Sequence, residues 1–137
     1  MSFVEAERPI PEPTTESRPY WDGLKGHRLL FQRCVTCQTL RHYPRPVCDN
    51  CFSSEYDWLE ATGQGKVYSW TVNHHAFHHA FKNEVPFITV TVDMEEGVRM
   101  QAPLTIKEPK LLSIGLAVRV MYDDINKDLT LPRFHPL

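Results

Sequence analysis

From about residue 55 onward, apolar and polar positions alternate strictly. Ile88, Val90, Val92 and Met94 alternate with Phe87, Thr89, Thr91 and Asp93. Val98, Met100, Ala102 and Leu104 alternate with Arg99, Gln101 and Pro103, and Leu116, Val118, Val120 and Tyr122 with Ala117, Arg119, Met121 and Asp123. Upstream, residues 66–74 place Tyr68, Trp70 and Val72 on one side and Val67, Ser69, Thr71 and Asn73 on the other, which assigns Trp70 to the core with its two neighbours. Tyr56, Trp58 and Leu59 open the series and residues 129–134 close it. Period-two patterning of this kind marks strands with one buried face. Gly63 and Gly65 bracket a turn, Glu95-Glu96-Gly97 makes another, residues 123–128 a third, and the proline-bearing loop at 106–112 holds a helical turn. An open sheet leaves edge strands that template aggregation, and closing it into a barrel removes them. The expected body is therefore a five-stranded OB-type barrel. A β-sandwich, the rival, needs more strands.

The first half has no such rhythm. Residues 1–16 carry Pro9, Pro11 and Pro13 among charges and read as an extended arm that must lean on something else. Ser17 can cap a short helix, Pro19 suits its first turn, Tyr20, Trp21 and Leu24 give it an apolar face, and Gly26 ends it. Residues 27–33 read as a strand entering Cys34, and Pro44 and Pro46 break the connection between two cysteine pairs. The expected layout is mainly β: an arm and short helix over 1–27, a cysteine-bearing ribbon over 28–60, and the barrel over 61–137. At 137 residues the chain supports one modest core. A module of about thirty residues supports none and needs a metal or disulfides.

All four cysteines lie in that module. Cys34-Val35-Thr36-Cys37 is followed after ten residues by Cys48-Asp49-Asn50-Cys51. A Cys-x-x-Cys turn sets two thiolates on one side of the backbone, and two such turns facing each other complete a tetrahedron around Zn²⁺. Four sulfurs leave no coordination position for water, so such a centre is structural. The spacer is shorter than the roughly 15–20 residues usual for this pattern, though long enough for a short hairpin. Gln38 and Phe52 stand where a glycine often follows the second cysteine. A rubredoxin-like iron site, and disulfides or free thiols, are the competing readings; closely spaced pairs in a reducing cytosol favour the metal.

Composition narrows the function classes. Hydrophobic residues at 42% and charged residues at 23% are ordinary for a soluble globular chain. No apolar run approaches the roughly 20 residues that span a bilayer, and the N-terminus lacks the basic-then-apolar signature of a secretory signal, so a cytoplasmic location without membrane contact is expected. A net charge of −2 argues against nucleic acid as the partner. Arg33, Arg41, His42 and Arg45 surround the cysteine hairpin, either as a solvated face offsetting thiolate charge or as a phosphate contact for a nucleotide-bearing cofactor.

One motif stands apart. His74-His75-Ala76-Phe77 is repeated at once as His78-His79-Ala80-Phe81. On a helix, His74 and His78 would share a face, as would His75 and His79, in the i,i+4 manner of many metal sites. The stretch falls where a barrel places the loop between its first two strands, which lines the ligand groove of OB barrels. A solvated loop, a ligand or partner contact through His74, Phe77, His78 and Phe81, and an acid–base site are the alternatives. No nucleophile–base pair, phosphate-cradling glycine loop or carboxylate dyad is visible.

Taken in order, Tyr20-Trp21, Leu30-Phe31-Gln32-Arg33-Cys34 with Cys37, Pro44-Arg45-Pro46 before Cys48 and Cys51, the run from Gly63 through Lys66 to Thr71, Val85-Pro86-Phe87, Glu95-Glu96-Gly97, Ile114-Gly115 and Leu131-Pro132-Arg133-Phe134 resemble a known family over nearly the whole chain. Its members pair a rubredoxin-like zinc ribbon with an OB-fold, are associated with acyl-CoA enzymes, and have long been known as a domain of unknown function. The resemblance implies Cys34, Cys37, Cys48 and Cys51 as zinc ligands. It also implies a non-catalytic companion of a thiolase-like enzyme (thiolase, hydroxymethylglutaryl-CoA synthase type or aldolase) that helps enclose acyl-CoA, though the family's CoA-contacting positions carry over onto no residue here. Trp21, from the aromatic pair of the helix, and Arg45, from the basic hairpin, are candidate partner or ligand contacts read from the residues themselves. The histidine repeat departs from the family pattern. A single-stranded nucleic-acid module, a small acyl-CoA hydrolase using the histidine loop, and self-association into a homo-oligomer are the other readings.

Overall fold

The computed structural model describes residues 9–106 and 109–137. The first eight residues of the expected arm lie outside them. Helix α1 (Arg18–Lys25) forms where the sequence places it, with Ser17 at its N-cap and a proline in its first turn. Ser17 does not cap forward, however. Its hydroxyl accepts from the Thr14 amide at 2.8 Å, tying the helix back to the arm. At the far end, the expected strand from residue 27 is delayed. His27 takes a left-handed φ of 59°. Its amide donates to the Leu24 carbonyl and that of Arg28 to the Gly23 carbonyl, both at 2.9 Å. That is a Schellman closure with a histidine in the glycine position. His27 is compensated there by stacking on Tyr122, with ring centroids 5.1 Å apart, and by Asp124 at 3.0 Å.

Strand β1 (Leu30–Cys34) is the centre of a three-stranded antiparallel sheet, flanked by β2 (Leu40–Arg41) and β3 (Tyr56–Glu60). The barrel follows: β4 (Gln64–Asn73), β5 (Phe87–Met94), β6 (Arg99–Leu104), β7 (Ala117–Asn126) and β8 (Leu129–Pro136), closed in the order β4-β5-β6-β8-β7. This is the five-stranded OB-type closure that the alternation predicts. The turn expected over 123–128 is tighter, because β7 runs on to Asn126.

Two details of β4 differ from the alternation. Gly65 lies within the strand, not in a turn. A Cβ there would sit 2.6 Å from the Asp93 carbonyl oxygen and 2.6 Å from Val92 Cγ1, so only glycine allows this approach of β4 to β5. Second, Val67 pairs with Val92 but Ser69 with Thr91, leaving Tyr68 as an extra residue in a bulge. The bulge switches the inward set from Gly65 and Val67 to Trp70 and Val72. Trp70 is therefore partly buried against the core as expected, whereas Tyr68 is exposed and stacks under Arg99, with Cζ 3.7 Å from the ring centroid.

One apolar core runs through the molecule. Val67, Val90, Val92, Met100, Val118 and Phe134 fill the barrel, and Tyr20, Leu24, Leu29 and Phe31 from the helix and ribbon belong to the same cluster. The ribbon is thus anchored at its base on the barrel, with the cysteines at its far end.

Candidate metal centre and its surroundings

Two knuckles of the same design bring the cysteines together. In the first, the Gln38 amide donates to the Cys34 carbonyl and the Cys34 amide to the Thr39 carbonyl; in the second, Phe52 donates to Cys48 and Cys48 to Ser53, each at 2.9 Å. Gln38 and Phe52 adopt φ of 66° and 65°. The backbone conformation that a glycine would supply is therefore present without it. The four Sγ atoms all lie within 4.8 Å of one another. Across the knuckles, Cys34 and Cys51 are 3.5 Å apart and Cys37 and Cys48 3.7 Å. A regular tetrahedron with Zn–S bonds of about 2.3 Å has edges of about 3.8 Å. The spacing fits a single ion.

The surrounding donors suit thiolates. The Thr39 hydroxyl lies 3.1 Å from Cys37 Sγ, the Asn50 side-chain amide points at the same sulfur from 3.5 Å, and the Asn50 backbone N–H approaches Cys48 Sγ at 3.4 Å. Thr39 and then Asn50 draw the Cys37 thiol down to about 5. Cys51 goes the other way. Against the lowering pull of the Ser53 amide, burial and the three neighbouring sulfurs push it up to about 12. Four thiols this close cannot all ionise unless a cation is shared among them.

Behind the knuckles lies a polar layer that sequence reasoning missed. Gln32 is fully buried; its Oε1 accepts from Arg41 Nε and from the Arg45 amide, the latter at 2.8 Å, while Arg41 Nη2 donates to the Arg45 carbonyl at 3.1 Å. These bonds hold the Pro44-Arg45-Pro46 connection in place. Arg41 is only 4% exposed, so the basic residues do not form one solvated face. Arg33 makes a two-pronged pair with Asp57 at 2.8 and 3.1 Å, and Arg45 pairs with Asp49 at 3.0 Å. His42 points inward, with Nε2 3.2 Å from the Tyr20 hydroxyl; burial lowers its pKa to about 4. No signal in the sequence separates the buried Arg41 of a polar layer from the more exposed Arg33 and Arg45 beside it.

Trp21 is partly buried and donates from Nε1 to the Tyr43 hydroxyl at 2.9 Å. It also lines a groove with Ile10, Pro11, Pro13 and Leu129, joining arm, helix and barrel. The histidine repeat occupies the loop between β4 and β5, as expected, but not as a helix. The chain is irregular there until a 3-10 turn at His79–Phe81, capped by His78 Nδ1 accepting from the Ala80 amide at 3.0 Å. The i,i+4 faces of His74 and His78 therefore do not form. His78 and His79 stack at 4.4 Å, and Phe77 at the tip is 94% exposed. Among the described residues, the four cysteines are the only cluster of three or more metal donors.

Comparison with known proteins agrees with this geometry. Residues 21–57 match the model of the ChsH2 rubredoxin-like zinc ribbon domain and residues 58–123 that of the ChsH2 C-terminal OB-fold domain. A DUF35 domain-containing scaffold protein of Pyrococcus furiosus is 30% identical over 80% of this chain and 79% of its own length. A probable enoyl-CoA hydratase alpha subunit of Thermomonospora curvata is 39% identical over 96% of this chain, which spans 41% of that protein. A chain of the solved Ltp2-ChsH2(DUF35) aldolase superposes with a TM-score of 0.82 at 38% identity, covering 93% of this chain and 98% of that one. The chain thus carries a zinc ribbon, and zinc is the cation its sulfur donor set suits.

Proposed function

The chain belongs to the DUF35 family, and from that premise we propose that it is a non-catalytic accessory subunit of a thiolase-like acyl-CoA-processing enzyme. The observation that carries this reading is the likeness, over nearly the full length of both chains, to a component of the Ltp2-ChsH2(DUF35) aldolase. In this reading Cys34, Cys37, Cys48 and Cys51 hold one zinc ion. With four sulfurs it has no open position for substrate, so its work is to fix the shape of the ribbon. The layout of arm and helix over 1–27, ribbon over 28–60 and barrel over 61–137 gives the subunit a rigid base and projecting knuckles. Trp21, Arg45, His74, Phe77, His78 and Phe81 are the candidate contacts for the partner or for its acyl-CoA. Phe77 is the first choice, because a tip phenylalanine at 94% exposure gains most from being covered. Four cysteines committed to one metal ion suit a reducing cytosol.

Some relatives carry hydratase subunit names and extend well beyond the length of this chain. Neither the closed centre nor the histidine loop offers a nucleophile–base pair among the described residues. In this reading the catalytic groups come from the partner. The test is affinity capture of the chain from its native cells with mass-spectrometric identification of what co-elutes. Recovery of a thiolase-superfamily enzyme in stoichiometric amount is expected. Elution as a lone monomer, or acyl-CoA turnover by the partner-free chain that disappears in His78→Ala, overturns the proposal.

A further inference from the structure

Between the ribbon and the β5–β6 hairpin lies a cleft of about 530 Å³, of whose lining the accessory-subunit reading uses Arg45 alone. Arg41, His42, Arg45 and Asp49 line it from the ribbon, and Asp93 and Arg99 from the barrel. We infer that this cleft is an oxyanion site that takes a phosphate or diphosphate group.

The first reason is an uncompensated charge. Arg41 is 96% buried and, among the described residues, has no carboxylate partner and no hydrogen-bond partner at Nη1. Its other contacts are neutral: Gln32, the Arg45 carbonyl, and the face of Tyr56 at 5.7 Å. A buried guanidinium left in this state is costly, and an anion bound beside it removes the cost. The second reason is how the rim arginines are held. Arg45 is pinned by Asp49 through Nη1 alone, at 3.0 Å, and Arg99 by Asp93 through Nε alone, at 2.7 Å, while Tyr68 supports the Arg99 guanidinium from below. Each arginine has five N–H donors, so single-point clamps fix the side chain and leave most donors for a ligand. Two fixed forks, one from each side of the cleft, match the bidentate geometry by which arginine binds phosphoryl oxygens. The third reason is the sum of charge. Three guanidinia against two carboxylates leave one net positive charge in the lining, that of Arg41.

The same chemistry serves an inorganic phosphate and the phosphates of a nucleotide-bearing cofactor, and the experiment separates them. Pyrophosphate and ADP are titrated separately into the full, zinc-loaded chain by calorimetry, with potassium chloride at matched ionic strength as the control. Saturable binding that chloride does not reproduce is expected. Arg45→Gln and Arg99→Gln should each weaken it by about tenfold, the scale of a lost charge-assisted bond. Asp93→Asn, whose amide oxygen can still accept from Arg99 Nε while the negative charge is gone, should tighten it, an outcome that misfolding cannot mimic. ADP binding equal to pyrophosphate means that the cleft reads phosphate only; tighter ADP binding extends the site to a nucleoside. Absence of saturation by either probe at about 10 mM, or affinity unchanged in the double arginine variant, overturns the proposal. It stands apart from the accessory role, since binding is measured without a partner.

Discussion

The barrel and the ribbon are both small, mainly antiparallel sheets, yet different forces hold them. In the barrel, five strands close on themselves and their inner faces are apolar, with Val90, Val92, Val118 and Phe134 fully buried. In the ribbon, β2 is two residues long and the buried set includes Gln32 and Arg41. From the ribbon, Leu29 and Phe31 are buried in the common core, and Leu40 and Trp58 pack against it partly buried. The ribbon's far end depends on sulfur and on the bonds of Gln32. Burial stabilises the barrel continuously along each strand, whereas the ribbon is tied at two points. The ribbon's tip therefore holds shape without a core beneath it, which frees its surface for contacts.

The largest expected effect comes from cutting one of the two ties. Cys48→Ser, at a fully buried sulfur, should lower bound zinc well below one per chain and strip amide-exchange protection from residues 30–60, because binding energy at such centres is folding energy. Protection across β4–β8 should persist. Full zinc loading with unchanged ribbon protection would refute the assignment of ligands. The next effect comes from acid. His42 has a folded pKa near 4, pushed down by burial from the usual 6.5. Between those values the unfolded chain binds the extra proton, so stability rises with pH across this window and is lost as pH falls from about 6.5 towards about 4. The full contribution is about 3 kcal/mol. Denaturation midpoints at a series of pH values, with zinc content followed in parallel, should show a shallower acid limb for His42→Gln than for the native chain at equal zinc loading. Parallel limbs would show that His42 takes no part.

The reciprocal experiment breaks the barrel and spares the ribbon. Gly65→Ala places a methyl group 2.6 Å from the Asp93 carbonyl, an approach that backbone atoms cannot easily relax. A loss of about 2 kcal/mol is expected, in the range of overpacked cores. Zinc content should stay at one per chain in the surviving native state. Concerted loss of metal would show that the two sheets are one cooperative unit.

What could be read from the sequence divides along the same line. The barrel was legible because period-two patterning reports one buried face per strand, and five such runs force closure. The zinc centre was legible because the chemistry depends on four residues whose spacing survives in one dimension. The polar layer was not: Gln32 and Arg41 are ordinary strand residues until β1 pairs with β2, and their burial exists only in three dimensions. The bulge at Tyr68 was hidden too, since one unpaired residue shifts the inward set without leaving a gap in the pattern. At His27, the helix closure was missed because the usual glycine is replaced by a residue whose cost is repaid by Tyr122 and Asp124, far away in sequence.

The smallest effect separates the two knuckles from each other. Both Gln38 and Phe52 hold a left-handed backbone, which costs a side-chain-bearing residue about 1–2 kcal/mol relative to glycine. They differ in what they recover. Gln38 donates from Nε2 to the Val35 carbonyl at 2.9 Å, whereas Phe52 is 78% exposed. Glycine also adds unfolded-state entropy of about 0.5–1 kcal/mol, which offsets part of the relief at either site. Gln38→Gly should therefore be near neutral, while Phe52→Gly should stabilise the zinc-loaded chain by about 0.5 kcal/mol, read as a shift in denaturation midpoint at constant slope. A destabilised Phe52→Gly would mean that the ring packs against the knuckle more than its exposure suggests. A stabilised variant that co-purifies with less partner enzyme would show that the strain is kept for contact, with an apolar ring held out at the tip of a rigid metal turn for another protein to cover.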